Sequence, residues 1–320
     1  MAHRRGREDY TVGWVCALPI ELAAAQEMLD NEHANPPQDN DDANTYTLGC
    51  IGRHNVVIAC LPAGQTGTNS AAAVALQMKS TFRAIRFALM IGIGGGVPSP
   101  GTDVRLGDVV VGQPGNGHGG VIQYDFGKST PSGFQQTGFL NTPPRVLLTA
   151  LSKLRANHDR GKSDLLVHIS KLGRLPKFSR DQAGNDVLFD GGYNHVGGSD
   201  CTSCDSARKL QREARTADAP RIHYGTIASG NQVMRDGAIR DQISSELGGV
   251  LCFEMEAAGL MNSFPCLVIR GICDYADSHK NKRWQPYAAG TAAACAKELL
   301  RLIPAVDVMK IQTAAEATQG

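Results

Sequence analysis

The sequence predicts an α/β fold on a largely parallel or mixed central sheet, and three observations carry that prediction. Strand-like and helix-like segments alternate along most of the chain. Residues 85–93 form a long apolar run ending in Gly94-Gly95-Gly96, the pattern of a strand buried on both faces. Hydrophobic residues make up 42% and charged residues 20%, a globular balance that argues against disorder. At 320 residues the chain could hold two domains at roughly 150 residues each, but α/β folds of this length are often one, and no internal repeat is present.

The elements follow in order. Residues 1–9 read as a charged, flexible tail. Residues 10–18, rich in Val and Trp and closed by Pro19, read as a buried strand, and 20–30 as a helix with its proline at the tolerated first position. After a polar loop at 31–43, residues 45–51 and 55–60 form two strands around Gly52. Residues 63–69 are a Gly-rich turn, and the Ala-rich 70–81 a helix. Beyond the 85–93 strand and its glycine loop, 108–111 is a strand and 142–157 a helix. Residues 158–206 make an irregular insertion, of a length that is usually functional or mobile. Regular structure returns as strand 221–229, helix 236–247, strand 250–253, helix 254–262, strand 265–272 and helix 284–302, with 306–320 expected as a second flexible tail. The expected domain is therefore 10–305.

Several functional classes are excluded early. With 32 basic and 31 acidic residues the net charge is +1, too weak a field for a nucleic-acid or anionic-membrane partner. No apolar run approaches the ~18–20 residues of a membrane span, and no apolar segment follows the charged N-terminus as in a signal peptide. Nine cysteines, seven of them isolated in apolar segments, suit a reduced cytoplasmic protein. Cys201-x-x-Cys204, near His195 and Asp205, is a weak zinc candidate, because it lacks a second pair; the stronger reading is surface or redox-inert thiols, so neither metal nor organic cofactor is expected. The turn at 64–69 is no P-loop, because no Gly-Lys-Ser/Thr follows.

Ligands of open α/β sheets bind at the carboxyl ends of strands. Four such ends carry unusual residues. The first leads to Glu21, the 85–93 strand to Gly94-Gly95-Gly96, the strand at 250–253 to Phe253-Glu254-Met255-Glu256, and the last strand to Cys273-Asp274. Each has a plain reading: Glu21 as an exposed first-turn acid, the glycines as a tight turn, Glu254 and Glu256 as a solvated helix start. The apolar neighbours of the two glutamates weigh against the last, since burying an unpaired carboxylate is costly.

Together the segments VGWVCALPIEL, MIGIGGGV, VRLGDVVV, GTIASGNQV, FEMEAAGL and VIRGICDYAD resemble the nucleoside phosphorylase/nucleosidase superfamily. The motifs come nearest to methylthioadenosine/S-adenosylhomocysteine nucleosidases and to phosphorylase-like modules of filamentous fungi. The resemblance implies a single α/β domain with a mixed, twisted sheet, and a homo-oligomer whose partner is a small purine nucleoside or nucleotide. It implies that Glu256 binds the ribose hydroxyls over Met255, and that Asp274 protonates N7 of the leaving purine once burial raises its pKa. Phe253, Ser229, Asn231, Val233 and Met234 lie along the base. Arg270 supports a carboxylate, an assignment no stronger than a structural ion pair.

Phosphorylases of this superfamily hold phosphate with arginines and a hydroxyl near the first strand end and the glycine loop. Here those places read Leu18-Pro19-Ile20-Glu21 and Met90-Ile91-Gly92-Ile93, without Arg, Ser or Thr. A glutamate repels phosphate, and in nucleosidases a glutamate at this position activates water. The resemblance therefore implies purine nucleosidase activity, although Ile93 replaces the serine that nucleosidases usually carry. The alternatives are an AMP/ATP N-glycosidase using Lys280, Lys282 and Arg283, a phosphorylase drawing on Arg53 or Arg105, and a non-catalytic nucleoside-sensing module. With no ATPase or repeat segment after residue 303, the chain reads as stand-alone. Tyr124, Phe189, Tyr193 and His195, with Asp186, are candidates for a lid or the 5′ side.

Overall fold

A computed structural model describes residues 5–34, 42–99, 101–215 and 219–318. In chain order the elements are β1 (Val12–Cys16), α1 (Pro19–Met28), β2 (Asn31–His33), β3 (Tyr46–Ile51), β4 (His54–Cys60), α2 (Thr68–Thr81), β5 (Phe87–Gly96), β6 (Val109–Gly112), β7 (Val121–Gln123), β8 (Gly127–Thr130) and β9 (Gly133–Gln136). There follow α3 (Arg145–Asp159), α4 (Leu165–Ser170), α5 (Arg180–Ala183), β10 (Ile222–Gly225), β11 (Ile227–Ser229), α6 (Gly237–Glu246), β12 (Cys252–Glu254), β13 (Cys266–Asp274), α7 (Gln285–Leu302) and α8 (Ala305–Val308).

The main sheet runs β10-β6-β13-β5-β1-β4-β3-β2. β5 lies parallel between β1 and β13, β6 is antiparallel to β13, and β3 is antiparallel to β4, so the sheet is mixed. β5 and β13 are buried along almost their whole lengths, as continuous apolar strands in a two-sided sheet must be. On one face Trp14, Phe87 and Leu267 pack against α1, α3 and α7; on the other Val15, Met90 and Val268 pack against α2 and the segment around Phe264. α7 is the central cover, buried from Pro286 to Leu300.

Four expectations are corrected. Gly94, Gly95 and Gly96 are not a loop but the end of β5, paired with β13 and antiparallel to β12. They are glycines because neighbours press on them: a Cβ at Gly95 would lie 2.7 Å from Ala276 Cβ and 2.8 Å from Asp274 Oδ1. The strand expected over 221–229 breaks at Thr226, where the chain passes from β6 to β12 and β7. The helix expected over 254–262 shrinks to a 3-10 turn at Ala257–Gly259; Glu254 ends β12 and its carboxylate accepts the N–H groups of Glu256 (3.1 Å) and Ala257 (3.0 Å). The C-terminal segment is packed: Ala314 is fully buried and donates its N–H to Ile85 O at 2.7 Å. Within the 158–206 insertion, Leu165, Leu172 and Phe178 join the core, while only Cys204 is buried between residues 190 and 206.

Candidate active site

The carboxyl ends of β1, β5, β12 and β13 open into one cavity of about 220 Å³. Its wall includes Leu18, Glu21, Thr66, Ile93, Gly94, Gly95, Gln232, Val233, Met234, Phe253, Glu254, Met255, Glu256, Cys273 and Lys280. Behind the cavity wall lies a buried charge cluster. Arg270 on β13 is fully buried, and its Nη2 pairs closely with Glu254 and lies 3.4 Å from Glu256 Oε2. Burial opposes its charge, but Glu254, Glu256 and Glu21 outweigh burial and raise its pKa further. Gly92 makes room for this meeting, since a Cβ there would strike Arg270 Nη1 and come within 2.6 Å of Glu21 Oε1.

Glu21 is buried rather than exposed. It is the third residue of α1 and reaches back to the helix start: Oε2 accepts the N–H groups of Ala17 (2.7 Å) and Leu18 (2.9 Å). Oε1 accepts the Ile93 N–H at 2.8 Å, tying α1 to β5. Burial raises its pKa against the opposing pull of Arg270 and these three donors. Glu256 is less well compensated. Its contacts are Arg270 and a long 3.4 Å bond from Gly67 N–H, and burial pushes it up to about 7. One buried cation thus faces three buried carboxylates, an arrangement with capacity to hold or pass a proton.

Asp274 sits where β13 bulges out of register with β5. Its Oδ1 accepts the Ala276 N–H at 2.9 Å, and Lys280 Nζ lies 3.2 Å from Oδ2. Burial alone was expected to set its chemistry; instead it faces an ammonium whose pKa is raised, burial being outweighed by the attraction of Asp274.

The basic run is split by the fold. Lys280 reaches the cavity, whereas Lys282 and Arg283 line a separate cleft with Phe189, and Arg283 Nε donates to Gln182 O at 3.2 Å. Phe189, Tyr193 and His195 do not line the cavity either. They surround the His279 ring, Phe189 stacking on it at 4.1 Å. Asp186 pairs with Arg212 at 2.6 Å. Val233, Met234, Phe253 and Met255 form an apolar shelf beside the acids. Tyr124 stands behind that shelf, edge-on to Phe253 at 5.4 Å, with its hydroxyl on Gln232 O. Ser229 and Asn231 support rather than line: Ser229 Oγ accepts the Ala258 N–H at 2.9 Å, and Asn231 Oδ1 accepts from Thr68 N at 3.0 Å. Arg105 is occupied by Asp103 at 2.7 Å and does not line the cavity, nor does Arg53. Thr66, Gln232 and Gln285 were missed, because loops distant in sequence bring them in; Gln232, one residue from Val233, had the nearest signal.

Comparison with known proteins places this geometry. A nucleotide-binding leucine-rich repeat (NLR)-like protein of Hyaloscypha variabilis is 49% identical over 92% of this chain, which spans 30% of that protein's length. The 5′-methylthioadenosine/S-adenosylhomocysteine nucleosidase of Mycobacterium tuberculosis is 28% identical over 92% of this chain and 97% of its own. An Escherichia coli protein named ATP nucleosidase Cap17 is 23% identical over 89% of this chain and 50% of its own. Among solved structures, the futalosine hydrolase of Helicobacter pylori superposes with a TM-score of 0.60 at 16% identity, over 92% of this chain and 99% of that one. The methylthioadenosine/S-adenosylhomocysteine nucleosidase of Neisseria meningitidis superposes at 0.58 and 16%, over 91% and 98%. The family model described as phosphorylase superfamily matches residues 11–303, and the chain belongs to that superfamily.

Proposed function

We propose that this chain is a purine nucleosidase, hydrolysing the N-glycosidic bond of an adenosine- or inosine-type ribonucleoside to free base and ribose. The observation that carries the reading is the convergence of Glu21, Glu256 and Lys280 on one cavity with an apolar shelf, Asp274 standing just behind the wall with Lys280 Nζ at 3.2 Å. N-glycosidic cleavage builds positive charge on the ribose and negative charge on the purine. Glu256, held beside Met255, accepts the ribose hydroxyls and stabilises the developing cation. Asp274 in its acid form donates a proton to N7 of the departing base, and the Lys280 ammonium 3.2 Å away stabilises the carboxylate left behind. Glu21, with a raised pKa, takes the proton of the attacking water. The purine lies on Val233, Met234 and Phe253.

The absence of arginine from the described cavity wall supports water rather than phosphate as nucleophile, since an anion needs charged donors. Of the nucleotide alternative, only Lys280 stands at the cavity, and it is engaged by Asp274. The experiment is chromatographic product analysis with adenosine, inosine, guanosine, methylthioadenosine, AMP and ATP, each with and without phosphate. Free base plus ribose independent of phosphate supports the proposal. Phosphate-dependent release refutes the role of Glu21, and release from ATP alone moves the substrate class to nucleotides.

A further inference from the structure

Away from the cavity, the insertion brings together His195, Cys201 and Cys204, which the sequence alone offers only as a weak metal candidate. Cys204 is buried and Cys201 half-buried, joined in a turn by Cys204 N–H to Cys201 O at 3.2 Å. His195, Cys201 and Cys204 each present one ligand atom, and these atoms all lie within 4.8 Å of one another. We propose that His195, Cys201 and Cys204 bind a zinc ion that cross-links the 190–206 segment of the insertion, beside the loop carrying Lys280.

The donor set selects the metal. Two thiols and an imidazole suit zinc and reject the hard cations magnesium and calcium. Zn–S bonds of about 2.3 Å put ligand atoms roughly 3.5–4 Å apart around a tetrahedral ion, a small contraction from the spacing seen here. The histidine is already oriented: Nε2 lies 2.8 Å from Asp200 O and donates its proton there, which leaves the lone pair on Nδ1. Metal binding replaces the Gly197 N–H that Nδ1 now accepts at 3.0 Å. Each thiol that ligates gives up its proton to solvent, so two thiolates balance the charge of one divalent ion.

Two further observations point to the same place. His279, 9% exposed, has no hydrogen-bond partner on either ring nitrogen, and its ring centroid is 5.5 Å from that of His195. A buried imidazole left so is costly, and it stands beside His195. Asp277 Oδ2 lies 3.8 Å from its Nδ1. The segment from 190 to 206 also buries only Cys204, so apolar packing does not hold it; a metal does so in small regions without a core. The insertion already touches the neighbouring loop through His195 N–H to Ser278 Oγ at 2.9 Å. That loop delivers Lys280 to Asp274.

The test is metal analysis of the full chain, purified without chelator, dialysed after zinc addition and measured by mass spectrometry. The expected result is about one zinc per chain, lost in Cys201→Ser/Cys204→Ser and retained in Cys50→Ser. Cobalt added in place of zinc should give thiolate charge-transfer bands and the visible bands of a tetrahedral ion, both absent from the double variant. Wild-type protein that retains no zinc with its thiols intact, or an intact mass lower by two hydrogens from a Cys201–Cys204 disulfide, overturns the proposal, as does zinc undiminished in the double variant. The wild-type measurement decides even if the variant folds poorly.

Discussion

Two buried charge clusters of this molecule look alike in composition and differ in balance. Around Asp108, at the start of β6, one carboxylate is saturated: Arg215 bonds both oxygens at 2.7 Å, His223 Nε2 lies at 2.8 Å, and the N–H groups of Arg105 and Arg221 add 2.9 Å bonds. Burial pushes its pKa up, but these partners outweigh burial and lower it. Around Arg270 the ratio is reversed, with three carboxylates for one guanidinium, and burial raises the pKa of Glu21 and of Glu256. A buried acid with every lone pair answered is scaffold. Acids in excess over their cation, beside an open cavity, retain chemistry.

That contrast can be broken by mutation, and the largest effects fall at the cavity. Glu21→Gln and Asp274→Asn should each lower turnover by ~10²-fold or more in steady-state kinetics. Near-wild-type turnover in either would remove that residue from the catalytic account. Asp108→Asn should act in the opposite way. It removes the carboxylate that Arg215 and His223 share and leaves Arg215 only Asp103, whose carbonyl oxygen is 2.6 Å away, costing about 1–3 kcal/mol in denaturant unfolding while sparing kcat below the melting transition. A selective loss of kcat there would erase the distinction between the clusters. Glu256→Gln should cost ribonucleosides about 10- to 100-fold in kcat/KM, the value of charge-assisted hydrogen bonds, and 2′-deoxyribonucleosides much less. Equal losses would contradict a ribose clamp.

The smallest effect sharpens the comparison through pH. Glu256 has a folded-state pKa near 7 against 4.5 unfolded, so between these values the native state binds the extra proton. Stability from this group is therefore full below about pH 4.5 and is lost as pH rises toward 7. Asp108, lowered, has the reverse sign: it stabilises above its unfolded value of 3.8 and fails on further acidification. Glu256→Gln should flatten the first slope in unfolding curves and leave the second untouched.

The sequence announces the Arg270 cluster because its members close strands that are otherwise apolar, and polar residues at such ends stand out. It hides the Asp108 network, whose partners Arg215 and His223 lie more than a hundred residues later, beyond the insertion. Local pattern also misjudges the glycines. Gly94 to Gly96 carry a turn composition, yet their packing against Cys252, Asp274 and Ile272 keeps them in the strand. Helix formers at Glu254 to Ala258 lose to the sheet, where Glu254 is held as the last residue of β12 opposite Ser229. The basic run at 280–283 reads as one feature in sequence, but the loop turns Lys280 inward and Lys282 and Arg283 toward another cleft.

The most direct test of the central claim is to run the reaction in oxygen-18 water with purine ribonucleosides and follow the sugar product. If Glu21 activates water for attack on the ribose, free ribose will carry one heavy oxygen at its anomeric carbon after correction for exchange, and Glu21→Gln will abolish the incorporation. Base release with an unlabelled phosphorylated sugar, or no release from any purine nucleoside, would contradict the account.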